Sequence, residues 1–345
     1  MSALPGTMQA LLLNDGGYAA SHSGTVLEAM EPYVRLGEIA VPEPQGSQVL
    51  VDVALASVNP SDVMYIKGLY GQPRVKDQPA GFEGVGRVVA AGDKAQGLVG
   101  RRVSFVAGRS GWGAWARYSL VDASACIPVV DAVRDEDAAA LVVNPMTALA
   151  MFDLVREEEA KAFILTGGAS QLSKLMMGVA RDEGFRAIAI VRRPGQEEQL
   201  MAAGATHVLD SEASDFRARL KEVVAAEKPK VMLDAVTGPV ASKIFHAMPD
   251  GARWVVYGRL DASETTIPEP GQLIFLHKRI EGFWLVDWMK KAGAEARERA
   301  AREVQARYAD GRWRTDVNAV VGLEEAVMRL PEELAKPDGK VFIRP

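Results

Sequence analysis

Cysteine is nearly absent from this chain of 345 residues: Cys126 stands alone. One thiol forms no internal disulfide and no multi-thiolate zinc site, and it suits a reducing compartment. No apolar run approaches the ~18 residues that a membrane-spanning helix requires. The start, Met1-Ser2-Ala3-Leu4-Pro5-Gly6, has neither the basic region nor the long apolar core of a signal peptide. Positive charge is not in surplus, with 40 Lys and Arg against 45 Asp and Glu for a net charge of −5. Nothing is therefore left over to neutralise phosphates, which disfavours a nucleic-acid role. Histidine is scarce too: His22, His207, His246 and His277 are scattered without metal-ligand spacing. Repeats, low-complexity tracts and long charge blocks are missing. What is present, 48% hydrophobic and 25% charged residues, is ordinary globular composition and argues against disorder. The length leaves room for two domains. A cytoplasmic protein without membrane or nucleic-acid partners is expected.

The first ~130 residues read as short β-rich segments by alternation and β-branched content. Gln48–Leu55 and Gly86–Gly92 are examples, with turn-forming clusters at Pro42–Pro44, Gly81–Gly84 and Gly108–Gly113. From about residue 136 strands and helices alternate. Ala162–Thr166, Ala187–Val191, Val208–Leu209, Val231–Asp234 and Trp254–Tyr257 read as strands. Helices are expected over Leu172–Glu183, ending at Gly184, and up to Ala203, closed by Gly204. Continuous apolar strands between helices imply a parallel sheet covered on both faces. A charged helix is expected over Lys290–Ala309, then a strand at Val317–Val321, a helix near Leu323–Ala335 and a strand at Lys340–Ile343. The predicted fold is α/β, with a doubly wound Rossmann domain over 131–284 inserted in a β-rich catalytic domain formed by 1–130 and 285–345.

The first turn of the doubly wound part is Thr166-Gly167-Gly168-Ala169-Ser170-Gln171-Leu172-Ser173. Small residues there let the backbone approach a pyrophosphate at the positive end of the following helix. Ser170 and Ser173 stand where glycine is usual in the G-x-G-x-x-G pattern. The second strand ends Val191-Arg192-Arg193, and no acid follows until Glu197. A ribose 2′-hydroxyl calls for Asp or Glu at this place, whereas a 2′-phosphate calls for Arg. NADPH is therefore favoured over NADH, the plain alternative being two solvated arginines.

Val58-Asn59-Pro60-Ser61-Asp62, Gly81-Phe82-Glu83-Gly84-Val85-Gly86, Ala203–Val208 and Tyr257-Gly258 resemble the medium-chain dehydrogenase/reductase superfamily, from Met8 to Val341. The resemblance implies a GroES-like catalytic domain around the nucleotide domain, and commonly a homodimer. Zinc enzymes of the superfamily hold their metal with two Cys and one His. By motif alignment those places fall on Asn59, Phe82 and Asn144, so no metal is expected. The chain thus resembles the zinc-independent branch, which includes quinone oxidoreductases and enoyl-thioester reductases. Without a Lewis acid, reducing a polarised C=C bond or a quinone fits better than alcohol–ketone chemistry.

Lys67–Gly71, Val143–Ala148 and Gly282–Trp288 lean toward the mitochondrial-type trans-2-enoyl-thioester reductases. In those enzymes the tyrosine matching Tyr70 is assigned as proton donor; as a plain aromatic it packs a turn beside Gly71. Asn59 and Thr147, implied as catalytic candidates beside Tyr70, and Asn144, implied to bind the cofactor, would sit near the nicotinamide as hydrogen-bond donors or acceptors, or else they cap loops. Tyr257 and Gly258 join Gly167, Gly168, Ser170 and Gln171 as cofactor-binding candidates. Trp284 and Trp288, spaced i and i+4, line an acyl channel or pack as helix core. Lys290, Lys291 and Arg279 suit a CoA or carrier phosphate, or are solvated helix-end charges. The loop Arg109–Trp115 matches the family only in being rich in Gly and Trp. The leading expectation is an NADPH-dependent, zinc-independent reductase of trans-2-enoyl thioesters; the alternatives are an NADPH quinone oxidoreductase and a non-catalytic NADPH-binding protein.

Overall fold

The computed structural model describes residues 4–20, 26–107, 112–267, 269–336 and 339–345. His22, the Met1–Ala3 start and Arg109–Gly111 of the Gly- and Trp-rich loop lie outside them. The chain forms two units, one of residues 1–143 and 301–345 and one of residues 144–300. These boundaries fall later than 130/131 and 284/285, the first of them for a local reason. Asp135 pairs with Arg102, and Arg134 and Asp137 bond Thr315, which keeps the segment after 130 in the first unit.

The first unit begins with β1 (Thr7–Leu13), β2 (Val34–Ala40), β3 (Gln48–Val58) and the short helix α1 (Pro60–Ile66). β4 (Glu83–Ala91), β5 (Arg102–Val106), β6 (Tyr118–Asp122) and β7 (Cys126–Pro128) follow, then helix α2 (Asp135–Ala139). Period-2 alternation divides the apolar residues of β3 between two cores. Val49, Val51 and Val53 pack with Leu11, Phe105 and Trp115, whereas Leu50 faces Met8, Leu12 and Tyr118.

The second unit contains most of α3 (Val143–Arg156), then β8 (Ala162–Leu165), α4 (Gln171–Glu183), β9 (Arg186–Val191) and α5 (Glu197–Ala203). β10 (Ala205–Asp210), α6 (Phe216–Glu227), β11 (Val231–Asp234), α7 (Gly238–Ala247) and β12 (Arg253–Val256) continue it. It closes with α8 (Gly271–Ile274), β13 (Arg279–Gly282) and α9 (Leu285–Lys291). All six strands pair in parallel in the order β10-β9-β8-β11-β12-β13. The chain therefore runs outward from β8 to β10 and then returns to the other side of β8 at β11. Ligands of such sheets bind beyond the carboxyl ends of the strands at that reversal.

The single helix expected over Lys290–Ala309 is instead two. Ala292 is extended (ψ 130°) and is followed by Gly293, a poor helix former, so α9 stops and α10 (Ala294–Ala309) starts afresh. Back in the first unit, β14 (Val317–Gly322), α11 (Ala326–Ala335) and β15 (Lys340–Arg344) complete a sheet ordered β14-β15-β3-β4-β5-β7, with β6 also pairing β3.

Candidate active site

In the second unit, the turn after β8 sits at the reversal point. Gly167 has φ +58°, and a Cβ on Gly168 would stand 2.9 Å from the Ala189 Cβ and 3.1 Å from the Ile190 carbonyl oxygen. Gly168 is thus glycine because the turn packs directly on β9. The serines that replace glycines later in the turn act as helix caps. Ser170 Oγ accepts from Ser173 N–H at 3.2 Å, and Ser173 Oγ donates to the Gly167 carbonyl at 3.1 Å. Gln171 opens α4, half-buried.

The turn after β11 is fastened to this one. Thr166 Oγ1 donates to the buried Asp234 carboxylate and accepts from Ala235 N–H at 2.9 Å. Asp234 also accepts from Val236 N–H, Thr237 N–H and, at 2.7 Å, Trp254 Nε1–H. Tyr257 and Gly258 follow β12. The Tyr257 hydroxyl is buried, and burial pushes its pKa up against the opposing pull of the Ser173 hydroxyl. Arg192 and Arg193 are exposed just beyond β9. A glycine turn without room for a Cβ, a capped helix N-terminus and two exposed guanidiniums fit a phosphorylated dinucleotide. Asn144 and Thr147 lie in the first turns of α3, half-buried and buried respectively. Trp284 caps α9 and Trp288 N–H donates to its carbonyl at 3.1 Å; both are half-buried. Lys290 lies over the Trp284 ring and pairs with Asp287, while Arg279 pairs with Glu158.

In the first unit, the half-buried Tyr70 packs its ring 5.0 Å from that of Phe82, which meets Tyr65 at the same distance. Phe82 and Tyr65 are walls of a cavity of about 190 Å³, with Gln72, Val75, Gln78 and Gly81 among its other walls. Burial pushes the Tyr65 phenol up.

Asn59 belongs to a buried polar cluster. Its amide nitrogen donates to Ser57 Oγ at 3.1 Å and Glu83 Oε1 at 3.0 Å, and its amide oxygen accepts from Lys340 Nζ. The sequence reading missed this cluster. Lys340 is only the end of a familiar stretch in sequence, and its partners are hundreds of residues away. Asp62 also belongs to it; burial pushes its pKa up to about 7, Glu83 adds to the effect, and backbone N–H groups and Lys340 oppose it. The buried Ser61 hydroxyl, without a hydrogen-bond partner among the described residues, was likewise not singled out.

The alcohol dehydrogenase GroES-like domain model matches residues 45–131, and the zinc-binding dehydrogenase model matches residues 172–302. A crystal structure of a proposed NADPH:quinone reductase from Mesorhizobium loti is 59% identical, with a TM-score of 0.96 over 99% of this chain and 100% of that one. The chain belongs to the medium-chain dehydrogenase/reductase superfamily. Within it, the chain is 29% identical over 305 residues to the mitochondrial enoyl-[acyl-carrier-protein] reductase of Schizosaccharomyces pombe, covering 83% of this chain and 82% of that one. The Etr1p complex with NADP and crotonyl-CoA, from the enoyl thioester reductase of Candida tropicalis, shares the fold. Its TM-score is 0.80 at 22% identity over 98% of this chain and 100% of that one. These relatives place the chain in the quinone-reductase and enoyl-thioester-reductase branch. Among the described residues no group of three or more His, Cys, Asp or Glu side chains is arranged to hold a metal. Of the residues that the motif alignment sets at the zinc-ligand places, Asn59 is a strut in the buried cluster, Phe82 a cavity wall and Asn144 lies on α3.

Proposed function

We propose that this protein is an NADPH-dependent, zinc-independent reductase of activated carbon–carbon double bonds, acting first on trans-2-enoyl thioesters. The observation that carries this reading is the Tyr70 ring packed at a tilt against Phe82, an aromatic wall of a cavity of about 190 Å³. Ligand pockets commonly run from ~300 Å³ upward, so this one suits a short, flat group. Aromatic walls favour a planar conjugated system. When bound, NADPH supplies the hydride that goes to the substrate β-carbon. Gly167, Gly168, Ser170 and Gln171 are assigned to its pyrophosphate and Arg192 and Arg193 to its 2′-phosphate. Asn144, Thr147, Tyr257 and Gly258 are assigned to its nicotinamide half. Tyr70 donates a hydrogen bond to the thioester oxygen and passes a proton to the α-carbon, directly or through water. Asn59 acts from inside the first unit, its amide already bonded on both sides. Trp284 and Trp288 remain candidates for contacts to a longer acyl chain.

The quinone reductase activity proposed for the 59%-identical relative favours a second reading, reduction of a monocyclic quinone in the same cavity. Tyr70→Phe tests the first reading. Turnover with an enoyl thioester should fall by roughly 10²-fold, the scale of general-acid catalysis, with NADPH affinity unchanged. Full turnover would remove Tyr70 from the reaction. A homodimer is supported by β13, a sheet edge whose four residues are all exposed beside exposed Ile274 and Phe275. The lone thiol supports a cytoplasmic location, although the S. pombe relative is named as mitochondrial.

A further inference from the structure

We propose that Asp62 is a positioning residue for this reduction, fixing Phe82 and through it the ring of Tyr70. The inference rests on the reading of Tyr70 as proton donor. Asp62, Glu83 and Lys340 are 0%, 0% and 6% exposed. Stripping water from such charges costs several kcal/mol each unless hydrogen bonds replace it. Glu83 is compensated by Ser57 Oγ at 2.8 Å, Asn59 Nδ2 at 3.0 Å, and the N–H groups of Val142 and Val143 at 3.1 and 2.8 Å. Asp62 spends its carboxylate differently. Oδ2 accepts from Asn59 N–H and Oδ1 from Phe82 N–H, each at 2.7 Å.

Those two backbone groups flank the segment that carries Tyr70. Asn59 opens α1, which runs into the loop after Ile66, and Phe82 ends that loop immediately before β4. Asp62 therefore ties the loop's two ends together. Gly81, just before Phe82, has φ +92°, and a Cβ there would overlap the Trp115 ring at 2.3 Å. Phe82 thus has its backbone held on one side by a buried carboxylate and on the other by close packing. Its ring is the surface on which Tyr70 rests. Misplacing a reacting group by ~1 Å can cost ~10²-fold in rate. Lys340 Nζ is bonded to Asn59 Oδ1; burial lowers its pKa, and Glu83 and Asp62 oppose that.

A double-mutant cycle of Asp62→Asn with Tyr70→Phe separates this role from simple stabilisation. Asp62→Asn should lower kcat for an enoyl thioester at least ~10-fold, leave NADPH affinity unchanged, and cost no more than ~2-fold further once Tyr70 is Phe. Phe82→Leu keeps every charge of the cluster and should show the same dependence on Tyr70. It decides the matter should Asp62→Asn fail to fold. If either variant lowers kcat by the same factor in both backgrounds while Tyr70→Phe alone is impaired, the positioning role is overturned and the donor reading stands. If Tyr70→Phe alone has full turnover, the donor reading and this role fall together.

Discussion

Among the proposed site residues, the arginine pair after β9 is assigned the place that a single acid takes in an NADH site. Arg192 and Arg193 are exposed, so their strength lies in paired, charge-assisted bonds to a phosphate and not in burial. Arg192→Ala with Arg193→Ala should weaken NADPH by ~10²-fold or more, at roughly 1.5–3 kcal/mol per bond to a charged group, and leave NADH nearly untouched. Dissociation constants by nucleotide fluorescence measure this, and an equal loss for both cofactors contradicts the 2′-phosphate assignment. The pair stands out in sequence because its place, a strand end followed by no acid until Glu197, is set by the local pattern alone. The Asp62–Glu83–Lys340 cluster does not. Its members come from α1, β4 and β15, and nothing local marks a residue whose partner arrives from the far end of the chain.

Elements succeed or fail on their end residues. Ser170 caps α4, and Gly184 ends it in the left-handed conformation, φ 72°. Ser170→Ala should cost about 1 kcal/mol of stability, the usual value of an N-cap, and raise the NADPH dissociation constant as well. Thermal unfolding with and without NADPH reads both effects; an unchanged constant would separate the cap from the site. The end of α7 depends on a cation from elsewhere. Lys278 Nζ donates to the Phe245 carbonyl at 2.8 Å, the His246 carbonyl at 3.1 Å and Gln272 Oε1 at 2.7 Å. Burial lowers its pKa to about 8, Asp250 opposing. An ammonium whose folded pKa lies below its unfolded value disfavours folding while charged, so this residue makes stability rise as pH climbs from about 8 toward 10.5. Lys278→Met should flatten that rise in the unfolding temperature; an identical slope in both proteins would contradict it. The strands and the helix ends at Gly184 and Gly204 could be read from periodicity and glycine. The break at Ala292–Gly293 was hidden because the charged residues on both sides carry strong helix propensity.

For the molecule as a whole, composition and rhythm sufficed to read a doubly wound domain inserted in a β-rich one. The handover points were harder, because side chains such as Arg102 and Thr315 recruit the intervening segment into the first unit. Should β13 be the dimer edge, Ile280→Lys should convert a dimer of twice the chain mass into a monomer by light scattering without altering NADPH affinity. A wild type that is already monomeric would contradict the assembly. Reduction of an enoyl thioester is the claim on which the site assignments converge. Its most direct test is the kcat/KM for NADPH oxidation with a short trans-2-enoyl-CoA, measured beside a simple benzoquinone under the same conditions. A clear preference for the thioester is predicted. A preference for the quinone, or no NADPH oxidation with the thioester, would contradict it.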